Sequence, residues 1–387
     1  MTRTAARRAC GGPAFLSFGF RPFFLLGAIW SAAVVPLWLY GYFHGGPAAL
    51  TRDWHIHEMI FGYLAAVIAG FLTTAVPNWT GRPPVIGVPL AGLVALWILG
   101  RAAMLGQTFL GPAAAVADSL FLMTFAAAIW REVIAGRNWR NVPVCGLLTL
   151  FALANIAFHL RENLPNDLGL RLALGTAALL MTLIGGRIVP SFTGNWMKAR
   201  ARAPGPAAFG ATDRWALALT GLGTGLWIVG ALSALAGAAL ALAGVGHLVR
   251  LARWRGWRAS AEPLVWILHL GYAWLGVSLM LLGAAVCAPE LVPRSAGIHA
   301  LTSGAVGVMT LAVMTRATRG HAGRPLAADG ATTAIYLAIN LAALLRVASP
   351  FAGEAQAIVL SVSGLAWPVA FAGFAIAYGG MLILPRR

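Results

Sequence analysis

Eight histidines are scattered through a chain whose surroundings are mostly apolar, and they are the side chains best suited to chemistry. His55 and His57, followed directly by Glu58, form the run WHIHEM at the start of one long apolar stretch. His159 closes another stretch, His269 sits within WILHLGYAW, and His299 lies near the start of a third. His321 belongs to RGHAGRP, with Arg316, Arg319 and Arg324 around it, whereas His44 and His247 fall toward the ends of their runs. An ionisable group inside a bilayer is costly unless it is paired or binds something. Neutral imidazole is a good ligand for copper and for haem iron. Four of the histidines, His55, His57, His159 and His299, fall toward the outer side of their spans and therefore predict a transition-metal site. For any one of them, a bond to water or to a backbone carbonyl at the membrane interface is the alternative.

The spacing constrains which of them act together. On a helix of 3.6 residues per turn, positions i and i+2 point about 200° apart. His55 and His57 are therefore expected to face different neighbours. Glu58, three residues after His55, is expected to orient that imidazole as an outer partner of a metal. Arg187 in GGRIVP, with Arg316 and Arg324, is a candidate to orient an anionic group such as a haem propionate, because guanidinium pairs well with carboxylate; the alternatives are snorkelling to lipid headgroups for Arg187 and a solvated basic loop for the other two. Asp118 is the conspicuous carboxylate within an apolar run, placed either to serve a proton path or to cap a polar contact. Phosphate-binding loops, HExxH and GxSxG are absent. The three cysteines are far apart, with neither CxxC nor CxxCH, so they support no disulfide framework, zinc ribbon or covalently attached haem.

The elements that must position these groups follow from composition. Of 387 residues, 59% are hydrophobic and 10% charged, against roughly 25% charged in soluble domains. A net charge of +17 raises the question of nucleic acid. The basic residues, however, sit in short connectors between apolar runs rather than beside stacking aromatics, which excludes that partner. About 20 apolar residues cross a bilayer, and such runs lie near 22–43, 57–77, 86–106, 109–130, 142–160, 168–190, 213–231, 233–251, 263–286, 295–315, 331–349 and 356–384. The expected fold is all-α: a polytopic membrane protein of about 12 transmembrane helices, with no soluble domain.

Twelve spans place 22 of the 28 basic residues on the side of the N-terminus, leaving Arg52, Arg101, Arg161, Arg171, Arg294 and Arg346 opposite. The positive-inside rule then puts both termini, including a tail over 1–21, in the cytoplasm. The connectors AVPNWTGRPP (75–84), IVPSFTGNW (188–196) and TRGHAGRPL (318–326) resemble one another. His57 precedes Gly81 by 24 residues, and His299 precedes Gly323 by the same interval. Either turns have reused the same residues, or one transmembrane domain over 22–384 contains three repeats, 22–130, 142–251 and 263–384.

FRPFFLLGA (20–28), WHIHEMIFGY (54–63), AGFLTTAVPNWTGRPP (69–84), GGRIVPSFTGNW (185–196) and TRATRGHAGRPL (315–326) together resemble the NnrS family, from about residue 18 through the last span. The resemblance implies a bacterial inner-membrane protein containing haem and copper, tied to nitric oxide metabolism and nitrosative stress; its electron donor is unspecified. If such a protein is an enzyme, it is an oxidoreductase acting on nitric oxide. By motif the resemblance carries over to His55, His57 and His321, and less directly to His159, His269 and His299. Three four-helix units would also resemble haem–copper oxidase subunits. The tandem histidine pair and the histidine–tyrosine arrangement of those enzymes are missing, which speaks against oxygen reduction. The competing function is a transporter or metal-handling carrier without redox turnover, since glycines within spans can break helices as carriers do.

Overall fold

The computed structural model describes residues 13–47 and 50–385; Arg3, Arg7, Arg8, Cys10, Arg386 and Arg387, and most of the expected N-terminal tail, lie outside them. Among the described residues the regular structure is helical throughout. Eleven helices among these residues are long and apolar enough to cross a membrane. They are α1 (Phe20–His44), α2 (Arg52–Thr80), α3 (Val88–Leu105), α4 (Pro112–Ala135), α5 (Trp139–His159), α6 (Pro165–Lys198), α8 (Ser233–Arg253), α9 (Pro263–Cys287), α10 (Arg294–Ala322), α11 (Gly330–Phe351) and α12 (Gly353–Ile383). The twelfth expected span is α7 (Ala211–Val229). It forms where expected and packs along α8. Its first turn holds Asp213 and Arg214, and Thr and Gly recur along it, so it is too polar to rank with the others.

The helices begin and end where backbone chemistry requires. Gly87 and Gly111 take positive φ (62° and 54°) just before the prolines that open α3 and α4. Proline suits the first turn because its missing N–H has no intrahelical acceptor there. Thr51 caps α2 by accepting from Trp54 N, and Asp329 caps α11 by accepting from Thr332 N. Gly81, at φ 73°, ends α2 in the left-handed conformation that side chains with a Cβ disfavour.

The chain divides into two compact units. The first holds the residues up to Asn163, with 316–325 and the stretch from Phe371 onward; the second holds Leu164–Thr315 and Leu326–Ala370. In the first, α2 packs on α1 and α4, and α4 on α3 and α5. Phe23, Phe121 and Phe125 interlock, and Phe61 meets Phe151 and Phe158. Arg21 closes this unit by donating to the carbonyls of Leu382 and Leu384. In the second unit, α8 and α9 approach until their backbones touch. A Cβ on Gly244 would lie 2.5 Å from the Gly276 carbonyl, and one on Gly283 would lie 2.5 Å from that of Gly237. Small residues at such crossings supply the close packing that lipid, itself apolar, does not drive.

Among the described residues three helices widen into π turns: α2 over Glu58–Leu64, α6 over Met181–Gly185 and α10 over Ala300–Val306. Such turns insert an extra residue into the helical register and recur at functional sites. α2 and α10 are also the two most enclosed helices, each with 78% of its apolar window buried.

Candidate metal centre

In the first unit the π turn of α2 begins immediately after His57. It places His57 and Glu58, both completely buried, against α3, α4 and α5. His57 Nε2 lies 2.9 Å from Asp118 Oδ2, and His159 Nε2 lies 3.0 Å from the same oxygen. The three ligand atoms fall within 4.8 Å of one another. A tetrahedral ion with bonds of about 2.0–2.2 Å spaces its ligands roughly 3.3–3.5 Å apart. The two histidine–carboxylate separations fall a few tenths of an ångström short of that spacing. Two imidazoles and a carboxylate suit copper, zinc or iron.

The atoms around these three are arranged as metal sites require. Glu58 Oε1 sits 3.0 Å from His57 Nδ1, so it accepts that N–H and leaves Nε2 as the nitrogen facing Asp118. A carboxylate behind a ligating histidine fixes its tautomer and raises its basicity. Glu58 Oε2 in turn accepts from Trp30 Nε1 and from Arg101 Nη1, each at 2.7 Å. The other arm of Arg101 donates to Asp118 Oδ1, turning Oδ2 toward the histidines. Asn155 Nδ2 donates to Oδ2 at 2.8 Å, and Ser119 Oγ donates to Asn155 Oδ1 at 3.1 Å. Two carboxyl groups against one guanidinium leave one formal negative charge in excess, which a proton on His57, lying between them, or a cation in its place would offset. His159 keeps 12% of its side chain exposed, so the cluster has one open end. Beyond it, Arg161 pairs with Asp53 at 3.1 Å on the surface.

This arrangement changes several expectations. His55 and His57 do diverge, with His55 stacked on Trp38 at 4.3 Å between ring centroids. Glu58, expected to orient His55, bonds His57 instead, because Arg101 and Trp30 hold its carboxylate on the buried side while His55 turns to stack on Trp38. Arg101, counted among the connector arginines, is buried within α3 as the clamp between Glu58 and Asp118. Asp118 joins the centre as a third ligand candidate. Arg101, Asn155 and Trp30 were not singled out by the sequence. An arginine inside an apolar run was the available signal for the first, while Asn155 and Trp30 gave none.

His321 lies in the first unit, stacked on Phe20 at 5.2 Å; Arg319 nearby donates to the Pro325 carbonyl. Arg316 is partly buried and Arg324 exposed. His269, His299 and Arg187 lie in the second unit. Arg187 is exposed on α6. His299 Nδ1 donates to the Ser295 carbonyl at 2.7 Å. His269 Nε2 bonds Thr193 Oγ1 at 2.8 Å while that hydroxyl donates to Val189 O, so Nδ1 carries the lone pair and is buried without a partner.

The second unit also holds a polar cluster that composition concealed. His247 Nδ1 lies 2.9 Å from the Tyr272 hydroxyl, and its Nε2 lies 2.9 Å from Thr220 Oγ1. Arg250, expected in a basic connector, is buried; it donates to Tyr272 and, at 2.8 Å, to Asp213 Oδ1. These bonds satisfy a charge that would otherwise be untenable between helices.

The fold and this centre define a polytopic all-α membrane protein with a buried, two-histidine, one-carboxylate cluster. The profile of the NnrS protein family matches residues 14–386, nearly the whole chain, and the chain belongs to that family. No curated protein is significantly similar to it.

Proposed function

We propose that the protein is a haem- and copper-containing protein of nitric oxide metabolism or the nitrosative stress response, set in the bacterial inner membrane with both termini cytoplasmic. The single observation behind this reading is the convergence of His57, Asp118 and His159, with Glu58 behind His57. That donor set suits copper. Family membership supports the link to nitric oxide. His55, His269, His299 and His321 are the pool from which a haem ligand comes, and Arg187, Arg316 and Arg324 are candidates for its propionates.

Haem iron and copper, when bound, supply affinity for nitric oxide and the capacity to exchange electrons with it. The chain's own residues prepare the centre. Arg101 holds both carboxylates in place, Trp30 donates to Glu58, Glu58 accepts from His57 Nδ1, and Phe61 and Phe158 shield the imidazole from water. The open end at His159 suits the entry of a small neutral molecule dissolved in lipid.

Detergent-purified full-length protein tests this reading. We expect a Soret band, copper by elemental analysis, and anaerobic nitric oxide binding or, with a chemical reductant, consumption. Colourless, well-folded protein without copper would replace the reading with that of a carrier. Metal-replete protein that neither binds nor consumes nitric oxide would remove the nitric oxide role.

A further inference from the structure

α10 repeats the local construction of α2 residue by residue. In each, a histidine is the last residue before a seven-residue π turn: His57 before Glu58–Leu64, and His299 before Ala300–Val306. In each, the fifth residue after the histidine is a glycine facing a tryptophan of its own unit. Gly62 meets Trp30 beside Glu58 and Arg101, and Gly304 lies against Trp274, whose ring atoms a Cβ would approach to 2.6 Å. The sixteenth residue is a threonine bonded back to the twelfth residue's carbonyl: Thr73 to Ala69 at 2.6 Å, and Thr315 to Leu311 at 2.8 Å. The twenty-fourth is a glycine of positive φ, Gly81 at 73° and Gly323 at 76°, and Arg-Pro follows both.

The histidines themselves are prepared alike. His57 Nδ1 donates to the Glu58 carboxylate, and His299 Nδ1 donates to the Ser295 carbonyl at 2.7 Å. The His299 bond leaves the lone pair on Nε2; His57 Nε2 faces the Asp118 carboxylate at 2.9 Å and offers its lone pair only once an ion replaces the proton between them. Metal-ligating histidines are held in this way, by a carboxylate or a backbone carbonyl on the opposite nitrogen. Turn chemistry alone explains the shared glycines. It does not explain a π turn starting at the same residue, since that widening has no use in a connector and disturbs the helix it interrupts.

From this equivalence we infer that His299 is a metal-ligating residue in its own right, offering Nε2 to a transition-metal ion, either bare or within haem. The inference rests on the proposed metal-containing function and assigns one histidine of the pool. One difference bears on the ligand. The position of Glu58 is held by Ala300, so a neutral carbonyl replaces the carboxylate behind the imidazole. A carbonyl behind the imidazole makes His299 a less basic ligand than a histidine backed by a carboxylate.

The test uses full-length protein in detergent, with wild type, His299→Ala, His299→Gln, Asp118→Asn and His159→Ala compared by elemental analysis, visible and electron paramagnetic resonance spectra, and thermal melting. Both His299 variants should lose metal or the wild-type Soret band, and imidazole added to His299→Ala should restore it. Loss of the Soret band assigns a haem iron; loss of copper with the Soret band intact assigns a bare ion. Imidazole rescue excludes a simple folding defect. Unchanged metal content and spectra in both His299 variants overturn the inference. If Asp118→Asn loses metal in that same assay, the candidate centre stands and only His299 is misassigned. Metal-free wild-type protein overturns both readings.

Discussion

Asp118 Oδ2 stands 2.9 Å from His57 Nε2, a contact across 61 residues of sequence that joins α2 to α4 inside the first unit. Glu58, Arg101 and Asn155 hold that nitrogen and that oxygen in place.

Asp118→Asn keeps the shape of the side chain but removes the anionic ligand. A neutral amide oxygen is a poorer ligand for a divalent ion, and the Arg101 guanidinium then has one carboxylate instead of two. We expect loss of the metal bound at this centre, with the helices retained by circular dichroism. Equilibrium titration against a chelator of known affinity measures it, and wild-type affinity in the variant would remove Asp118 from the ligand set.

Trp30→Phe removes the indole N–H that donates to Glu58 Oε2 at 2.7 Å while leaving the ring to pack against Trp54 and Trp97. Outer partners of this kind are worth about 10–100-fold in metal affinity. A fall in that range, with a melting temperature close to wild type, is expected from paired metal titrations and thermal scans. A change confined to stability would mean that Trp30 only packs.

Arg101→Met leaves Glu58 and Asp118 as two buried carboxyl groups without their common cation. Breaking a buried pair from one side costs about 3–5 kcal/mol. The variant should melt far below wild type, and adding Glu58→Gln should recover part of the loss, because the coupling of such neighbours is not additive. Independent effects in the double-mutant cycle would show that Arg101 does not act through Glu58.

Tyr272→Phe tests the second polar cluster. The hydroxyl lies 2.9 Å from His247 Nδ1 and takes a donor from Arg250, so its removal leaves both short of a partner inside the bundle. A destabilisation of about 1–3 kcal/mol is expected, read by denaturant or thermal unfolding in detergent. Wild-type stability would mean that water replaces the hydroxyl.

Gly244→Leu on α8 forces a side chain into the Gly276 carbonyl of α9. The crossing has no room for it, and the variant should aggregate or elute early in size-exclusion chromatography. By contrast, Gly92→Leu on α3, where a Cβ meets nothing within 4 Å, should behave as wild type. Equal behaviour of the two would deny the close approach.

The sequence by itself determined the helices. Apolar length sets whether a segment spans a bilayer, and Gly81, Gly87, Gly111 and the neighbouring prolines set where segments turn; both are local properties. It also singled out His57, Glu58 and His159, because a polar group in an apolar run is conspicuous wherever it sits. What it left open was which polar groups meet. Glu58 bonds His57 rather than His55 because Trp30 and Arg101, on neighbouring helices, hold its carboxylate, and spacing along one helix cannot show such partners. Arg101 and Arg250 read as connector charges until the packing of neighbouring helices brought Asp118 and Asp213 against them. Only the tertiary structure decided those partners, since the rotation of each helix about its axis depends on the helices packed beside it rather than on its own residues.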